Sequence, residues 1–485
     1  MRPRTLIPVV AGLAVAVSAA ASGSLSSQAA PLRQGATCSW VALSRGEDRS
    51  QQVLVDLPGI GVLEYGGAVR SSRETDVKDD VHVLDQRTDA SGTWVEIQPQ
   101  GAGPGNRIEH AAAMRTQGGA SQLITYGGID QVDSGGGGTF TWRSPLLGGG
   151  RVEPSLLGNF RPSEVQRGGH RLTVASTTAG TWANLGITAD PLAESAAVYW
   201  PEGDSVVLFG GHTDEEANSA VNKLYRIELG VEPVAATSTT RPGSPTSRFG
   251  HTAVYDSANQ RMIVFGGSRN WTAGLNDTWA LDLSQGWDAA NWSEVATQGT
   301  APTRRFDHAA AYIPTLRWMV VFGGTRNATA VQSDLFALDL SQDPAVWTEL
   351  EPAGASPPGL QDMAASWSGQ AGLVVIHGGE VNSGSRRDAY GLRCVGAEPP
   401  TPTDAPTDMP TDEPTATQTP VDPTATATGE ATDPATATAT ATATDDPPDE
   451  TATPTATDEA PPTEATPDPG EPVGRIWLPR VLYRE

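Results

Sequence analysis

The chain has 485 residues, of which 57 are acidic and 32 basic, and its formal net charge at pH 7 is −25. This balance excludes a protein that binds nucleic acid through a basic surface. After the N-terminal 30 residues, no segment approaches the ~20 consecutive apolar residues that a transmembrane helix needs. We therefore predict no nucleic-acid partner and no transmembrane segment in the mature chain.

Residues 1–30 have the features of a secretory signal peptide. Arg2 and Arg4 precede an apolar stretch over residues 6–20, and small residues follow. The stretch is too short to span a bilayer comfortably, although a membrane anchor is the alternative interpretation. We predict that residues 1–30 direct the protein out of the cytoplasm, to a secreted or cell-surface location.

Six short apolar runs that end in Gly-Gly organise the next 360 residues. A period of about 50 residues, with four short strands in each repeat, is typical of a propeller blade. In the fourth repeat the strands are predicted at residues 248–256, 261–267, 276–283 and 291–295, each bounded by turn residues. We predict an all-β, six-bladed β-propeller over residues 31–396. The first glycines of the pairs are Gly66, Gly127, Gly210, Gly266, Gly323 and Gly378.

This repeat resembles the kelch family. The shared features are the apolar run into Gly-Gly, an aromatic residue in a later D-x-W/F-x-L-D strand, and a tryptophan that opens the last strand. The tryptophans are Trp94, Trp182, Trp292 and Trp347. The resemblance covers about residues 38–394 and implies a kelch-type propeller, a fold used mainly by binding modules and by a few enzymes.

The two ends of the repeat region complement each other. The sixth repeat lacks a fourth strand, and residues 38–43 (CSWVAL) have the W-x-x-L pattern of the other fourth strands. We predict that this N-terminal strand closes the ring. The two cysteines, Cys38 and Cys394, flank this closure, and in a secreted protein we expect them to form a disulfide. The loop it closes has 394 − 38 = 356 residues.

Kelch-type oxidases, which share the galactose-oxidase-like propeller architecture, hold copper with histidine and tyrosine beside a Tyr-Cys crosslink. Here both cysteines are assigned to the closure, and Tyr65 and Tyr126 precede Gly-Gly at positions expected in the core. We predict no oxidase site, no catalytic residue, no metal and no cofactor.

Histidines offer the other metal-like patterns. One set occupies equivalent first-strand positions and is interpreted as structural: His110, His251 and His308. His212 stands beside three acidic residues, Asp214, Glu215 and Glu216, but this sequence has no recognised ligand spacing.

The loops after each Gly-Gly are predicted to lie together at one face, over the central channel. Several carry arginine, whose guanidinium group binds a carboxylate or sulfate in a bidentate manner. Trp271 offers a ring for stacking on a sugar or another planar group. The alternative is that these arginines pair with nearby acidic side chains at the rim. The candidate binding residues are Arg70, Arg73, Arg269, Asn270, Trp271, Arg326, Asn327, Arg386 and Arg387.

The second repeat is longer than the others. Residues 143–180 separate a predicted TFTW strand from the TWANL strand, and glycine runs lie near both ends of the inserted stretch. We interpret it as an inserted loop or hairpin, which is either functional or a tolerated surface insertion.

Residues 397–474 consist mainly of Thr, Pro, Ala, Asp and Glu. They include 17 acidic residues between Glu398 and Glu471 and no Lys or Arg. Such a segment cannot offset its ordering entropy, so we predict a disordered acidic stalk. Residues 475–485 (RIWLPRVLYRE) are apolar and basic, and we interpret them as a docking or sorting tag for the cell envelope, or as an end without a role.

The leading functional expectation is an extracellular binding or adhesion module that recognises a glycan or protein ligand through the propeller-face loops, without catalysis. One alternative is a carbohydrate-active enzyme (an isomerase, hydrolase or oxidase), which predicts converging carboxylates or a metal in the channel. Another is a structural component of the cell surface.

Overall fold

A computed structural model of the chain describes residues 36–70, 75–116, 119–130, 165–187, 189–213, 219–327, 330–381 and 384–396. Within these ranges the regular structure consists of 28 β-strands and one 3₁₀ turn at Pro201–Gly203. No helix in the described ranges has the length and apolar character needed to cross a bilayer. The predicted signal peptide, stalk and C-terminal tag lie outside the described residues.

The first eleven strands are short, as expected for blades. They are β1 (Thr37–Ala42), β2 (Val53–Leu57), β3 (Gly61–Tyr65), β4 (Ala68–Arg70), β5 (Thr75–Val77), β6 (Val81–Asp85), β7 (Thr93–Gln100), β8 (Ala111–Arg115), β9 (Ser121–Tyr126), β10 (Gly169–Val174) and β11 (Ala179–Asn184).

The other seventeen strands continue the pattern. They are β12 (Ala196–Trp200), β13 (Ser205–Phe209), β14 (Leu224–Glu228), β15 (Ala235–Thr239), β16 (Thr252–Asp256), β17 (Arg261–Phe265), β18 (Thr278–Asp282), β19 (Asn291–Glu294), β20 (Thr297–Gly299), β21 (Ala309–Ile313), β22 (Trp318–Phe322), β23 (Leu335–Asp339), β24 (Ala345–Glu349), β25 (Gln361–Ser368), β26 (Leu373–Val381), β27 (Gly384–Ser385) and β28 (Ala389–Val395).

Four separate antiparallel sheets form a propeller-like arrangement. Two are the four-stranded sheets β12–β15 and β16–β19, the third is β21–β24 with β20 at its edge, and the fourth has the order β1-β28-β26-β25 with β27 added to β26. The second strand of each is the most apolar; all five residues of β13 and of β22 are buried. Burial on both faces of a strand is expected where other sheets cover the sheet on both sides.

The remaining blade-like strands form one eight-stranded sheet, in the order β2-β3-β6-β7-β11-β10-β9-β8. The structure thus has four separate blades where the repeat predicts six. The two antiparallel halves join because β7 stays extended to Gln100, so that its last three residues pair in parallel with the start of β11. A similar parallel pairing links β20 to β24. There, a break in the strand between β19 and β20 keeps the sheet β16–β19 separate from the sheet β21–β24.

The third strand of the second repeat lies inside the stretch that was interpreted from the sequence as an inserted loop or hairpin. Strand β10 pairs with both β9 and β11, so it is the third strand of this half-sheet. It lies within residues 143–180, which the sequence analysis assigned to an insertion after a TFTW strand. Residues 131–164, which include TFTW, lie outside the described residues. The added length therefore precedes the third strand, and the alternating sequence of β10 explains why that segment pairs.

The N-terminal strand closes the last sheet, as predicted. Strand β1 pairs antiparallel with β28 over its whole length, from Thr37 opposite Val395 to Ala42 opposite Tyr390. Cys38 lies opposite Cys394 in this register, and their sulfur atoms are bonded. The predicted disulfide is confirmed.

The Gly-Gly pairs bring neighbouring repeats into backbone contact. Gly210 and Gly211 have φ angles of 67° and 94°, in the left-handed region that favours glycine. The N–H of Gly211 donates to the carbonyl of Arg248 in the next repeat at 2.8 Å. A Cβ on Gly210 would lie 2.6 Å from that carbonyl oxygen. The other five pairs make the equivalent bond: Gly67 to Arg107, Gly128 to Leu192, Gly267 to Arg305, Gly324 to Leu360 and Gly379 to Arg49.

Aromatic side chains fill the space outside these backbone contacts. The residue before Gly-Gly packs against the fourth-strand tryptophan of the next repeat, as Phe209 does on Trp292 with ring centroids 4.8 Å apart. The same contact joins Tyr65 to Trp182, Phe265 to Trp347, Phe322 to Trp40 and His377 to Trp94. The third repeat lacks the tryptophan, since its fourth strand β15 has the sequence AATST.

We expect the disulfide to contribute strongly to stability. The Cys38→Ser/Cys394→Ser double variant should lose about 2–5 kcal/mol of unfolding free energy, because the bond restricts a loop of 356 residues in the unfolded chain. Equilibrium denaturation in guanidinium chloride measures the loss. Treating the natural chain with a reductant should reproduce the variant's transition; identical stability with and without the bond would contradict this account.

We expect Gly210→Ala to destabilise the fold by about 2–5 kcal/mol, because the new methyl group adds a clash with the Arg248 carbonyl to the cost of a left-handed φ. Gly372→Ala is the matched control, since Gly372 has a φ of 64° and nothing within 4 Å of the added Cβ. It should lose only about 1–2 kcal/mol. Thermal unfolding of both variants measures the difference, and equal losses would remove the clash from the explanation.

Candidate functional site

Six residues at the start of the first strands meet in a closed ring of backbone hydrogen bonds; five stand just before the strand, and one is its second residue. Each has a positive φ, between 49° and 60°, and each N–H donates to the carbonyl of its counterpart in the preceding repeat at 2.8–3.3 Å. We call this set the axial ring. It consists of Gln51, Glu109, Glu194, Gly250, Asp307 and Asp362.

The residues just after Gly-Gly lie beside the axial ring. His212, directly after the third pair, exchanges backbone hydrogen bonds with Ala193 at 2.9 and 3.0 Å. Ala193 is the neighbour of Glu194, so this pairing brings the His212 side of the loop to the ring. Equivalent antiparallel pairs occur in the other repeats: Ser50 with Ala68, Ile108 with Ile129, Phe249 with Ser268, Phe306 with Thr325 and Gln361 with Glu380. These loops therefore begin at one face, as predicted.

Four of the six ring residues are carboxylic acids, and burial favours the protonated form of three of them, Glu194, Asp307 and Asp362. Burial raises the pKa of Glu194 well above its usual value, and the nearby carboxylates of Glu109 and Asp307 raise it further. Burial and the charge of Asp362 likewise raise the pKa of Asp307. Asp362, buried and close to Glu380, has its pKa raised to about 7. The side chains of Glu194, Asp307 and Asp362 are partly exposed although protein atoms surround them. This is expected for groups that line a narrow channel.

One predicted binding residue, Arg70, belongs to this acidic region. Its guanidinium group lies 2.8 Å from Glu380, which also accepts a hydrogen bond from Ser50 Oγ at 2.7 Å. Arg70 Nη2 also donates to Gln51 Oε1 at 2.5 Å. Arg70 therefore balances charge on one side of the axial ring.

Two more predicted residues line a surface cleft between the fourth and fifth repeats. The cleft has a volume of about 500 Å³. Arg326 and Asn327 are exposed on its wall, and Arg304, which the sequence analysis did not select, is exposed beside them. The remaining lining residues are Thr272, Ala273, Asn276 and Thr303.

The other predicted residues are distributed around the same loops. Arg269 and Asn270 are exposed, as are Arg386 and Arg387 in the last repeat. Trp271 is half-buried, because its ring packs on Phe249 with centroids 4.1 Å apart. Arg73 lies outside the described residues. The structure thus brings Arg326 and Asn327 together, and separates Arg70 from them by placing it at the ring.

A different set of arginines is structural. Arg248 is fully buried and makes a bidentate pair with Asp277, at 2.7 and 2.8 Å. Burial would raise the pKa of Asp277, but the hydrogen bonds from Arg248 outweigh it and hold this pKa below its usual value. Arg305 with Asp334 repeats the arrangement, whereas Arg49 makes a single contact with Asp80, at 2.6 Å.

The repeated histidines are also part of the packing. His251 is buried against Phe209, with ring centroids 5.5 Å apart, and burial lowers its pKa to about 3. Burial has the same effect on His110, whose pKa is about 3, and on His308. These rings remain neutral at physiological pH and support the contact beside the glycines.

None of the four acids of the axial ring was predicted from the sequence as a binding residue. The available signal was positional: three of the ring residues stand two residues after an arginine and directly before a histidine, in the strings RIEH, RFGH and RFDH. The residue type at that position varies among Glu, Gly, Asp and Gln, so a search for a repeated residue passes over it.

Comparisons with known proteins agree with the repeat. The family model of the KLHDC2/KLHL20/DRC7 Kelch-repeats domain matches residues 171–395. Adagio protein 3 of Arabidopsis thaliana is 32% identical over 204 residues, which cover 41% of this chain and 31% of that protein. Dynein regulatory complex subunit 7 of Chlamydomonas reinhardtii is 34% identical over 130 residues, 25% of this chain and 10% of that protein.

Two further similarities were found. Serine/threonine-protein phosphatase BSL2 of Arabidopsis thaliana is 28% identical over 207 residues, which cover 39% of this chain and 20% of that protein. The chain thus spans between a tenth and a third of the length of these curated relatives. A solved structure titled "Structure of YjhT" aligns with 72% of this chain and 95% of its own, at 13% identity and a TM-score of 0.49. The repeat motifs of this chain, the family model that matches residues 171–395 and these relatives support a kelch-repeat protein.

Proposed function

We propose that the protein is an extracellular interaction module that binds an acidic segment of a partner protein through the face carrying the Gly-Gly loops. A kelch propeller suggests a protein-interaction module. The observation that carries the proposal for this chain is the cleft lined by Arg304 and Arg326. Both arginines are exposed, in contrast to the buried arginines of the repeat.

The chemistry of the cleft favours an anionic ligand. Two guanidinium groups can each hold a carboxylate through two parallel hydrogen bonds. Asn276 and Asn327 add amide donors and acceptors, and Thr272 and Thr303 add hydroxyl groups. A cleft of about 500 Å³ is large enough for a few side chains of a ligand.

We also propose that six blades surround the axis, with each half of the eight-stranded sheet counted as one blade. The six equivalent residues of the axial ring support this count, because each repeat contributes one N–H and one carbonyl to the closed circle. The six Gly-Gly hydrogen bonds between successive repeats support it independently.

The proposed location outside the cytoplasm rests on two features. The disulfide between Cys38 and Cys394 is of a kind that persists in oxidising compartments. The N-terminal sequence has the composition of a secretory signal. Residues 397–474 would then act as a stalk, and residues 475–485 as an attachment to the cell envelope.

A carbohydrate-active enzyme is the second candidate, and the axial ring favours it. Glu109, Glu194, Asp307 and Asp362 converge there, which is the arrangement that an enzyme in the channel requires. A carboxyl group with a pKa of about 7, as at Asp362, exchanges protons readily at neutral pH.

Binding of a panel of acidic peptides and acidic polysaccharides to the purified chain, measured by interferometry, tests the binding proposal. We expect an acidic peptide to bind, and an Arg304→Ala/Arg326→Ala double variant to bind at least ten times more weakly, because each charged bidentate contact contributes on the order of 1.5–3 kcal/mol. Arg87→Ala is the matched control: Arg87 is exposed, follows β6 and lies at the end of the sheet away from Gly-Gly.

The outcomes separate the candidates. Equal binding by the natural chain and the double variant would contradict the role of the cleft. Binding of polysaccharides alone would replace the protein ligand with a glycan. Product formation from a polysaccharide that is lost in Asp362→Asn would replace the interaction module with the enzyme.

A further inference from the structure

We propose that a divalent transition-metal cation binds beside the axial ring. Its ligands are Glu109 and Glu194 of the ring and the neighbouring His212. One ligand atom from each of the three side chains lies within 4.8 Å of the other two. The three residues come from two different repeats and are far apart in the sequence, so no local motif marks them. This site is separate from the arginine-lined cleft and does not depend on it.

Backbone hydrogen bonds hold the three residues in place. The N–H of Glu194 donates to the carbonyl of Glu109 at 2.8 Å, as part of the axial ring. Ala193, next to Glu194, pairs with His212 through two backbone hydrogen bonds. The imidazole of His212 also packs edge-on against the rings of Phe249 and Trp271. The ligand atoms are therefore positioned by the fold rather than by a flexible loop.

Two carboxylate oxygens of this group accept no hydrogen bond from an amide, hydroxyl or guanidinium donor in the described residues. The Glu109 side chain is only 3% exposed; its Oε1 accepts a hydrogen bond from Gln51 Nε2 at 2.7 Å. Its Oε2 accepts none from the described residues and lies 3.7 Å from His212 Nε2. Glu194 Oε2 is also buried and accepts no hydrogen bond from an amide, hydroxyl or guanidinium group in the described part of the chain, although the Glu194 carboxyl group lies within hydrogen-bond reach of that of Glu109. A buried acceptor without a partner is costly, and a cation would satisfy both oxygens at once.

The glycine of the axial ring leaves space next to these oxygens. A Cβ on Gly250 would lie 2.4 Å from Asp307 Oδ1 and 3.3 Å from Glu194 Oε2. Two carboxylate oxygens from neighbouring repeats therefore face the position that a side chain would occupy. Asp307 is in this way a candidate for a fourth ligand, directly or through a water molecule.

The electrostatics of the ring favour a divalent ion. The carboxyl group of Glu194 interacts electrostatically with three neighbouring carboxyl groups, those of Glu109, Asp307 and Asp362. Arg70 lies against Glu380 and Gln51 on another part of the ring. A bound divalent cation favours the ionised carboxylates and turns their mutual repulsion into attraction for the ion.

The donor set selects the class of metal. Ca²⁺ and Mg²⁺ take oxygen ligands, whereas an imidazole nitrogen suits Zn²⁺ and its neighbours in the first transition row. Bonds of about 2.1 Å place two ligand atoms at most about 4.2 Å apart, so side chains separated by up to 4.8 Å need to move inward only slightly. Two carboxylates and one histidine make Zn²⁺ the first probe and Mn²⁺ the second.

A second group of similar composition is already neutralised. Glu47, Asp80 and His82 also place ligand atoms within 4.8 Å of one another. Arg49 Nη2 lies 3.0 Å from Glu47 and 2.6 Å from Asp80, so a cation supplied by the chain occupies this position. The group of Glu109, Glu194 and His212 is therefore the better candidate for a metal site.

Metal binding to the untagged full chain tests the proposal. After removal of metals with a chelator, the protein is dialysed to equilibrium against micromolar Zn²⁺ or Mn²⁺ at pH 7.5, and its metal content is measured by mass spectrometry. We expect about one strongly bound ion per chain, and at least tenfold weaker binding in Glu194→Gln and in Glu109→Gln. Glu294→Gln, a substitution of an exposed acid on β19, is the matched control and should bind as the natural chain does.

Thermal unfolding provides a second readout. In Zn²⁺ the natural chain should gain stability and Glu194→Gln should not. Weak binding to the acidic C-terminal segment affects all variants equally. Zn²⁺ and Mn²⁺ binding that is absent, or unchanged in Glu194→Gln, would overturn the proposal, and selective Ca²⁺ binding would overturn the assigned class of metal.

Discussion

The close approach of each Gly-Gly pair to the backbone of the next repeat is the constraint on which this fold depends. The second glycine donates a hydrogen bond of 2.7–2.9 Å to a carbonyl of that repeat, and the first glycine leaves the space that the carbonyl needs. Because this bond joins backbone to backbone, it fixes the spacing of repeats whose side chains differ. The third repeat keeps its place without the fourth-strand tryptophan, and the second accommodates extra residues before its third strand.

The same spacing brings six backbone positions to the axis in a conformation with positive φ. Side chains at these positions meet irrespective of their charge. Packing would favour small or neutral residues there, as Gly250 and Gln51 provide, yet this chain places four carboxylic acids in the circle. Retention of a costly arrangement at a fixed position is a common sign of function. The buried arginines nearby differ in this respect, since Arg248 and Arg305 each have a dedicated aspartate.

Features that depend on local sequence were predictable. The apolar runs into Gly-Gly identified the second strands, the W-x-x-L pattern of residues 38–43 identified the closing strand, and this strand placed Cys38 against Cys394. Features that depend on contacts between residues far apart in the sequence were not predictable. The interpretation of residues 143–180 as an insertion missed β10, which pairs between β9 and β11, and the sheet count depends on how far β7 stays extended. The ring acids were missed because each belongs to a different repeat, and only the folded chain brings them together.

The register of β1 with β28 also fixes where the chain enters and leaves the described region. Thr37 lies opposite Val395, and β28 begins beside the Gly-Gly end of β26 and runs away from it. The chain therefore enters and leaves the described region at the strand ends that lie away from the Gly-Gly loops. A support that holds the protein by either end of the described region would therefore attach to the last sheet at the end opposite to the one from which the Gly-Gly loops start.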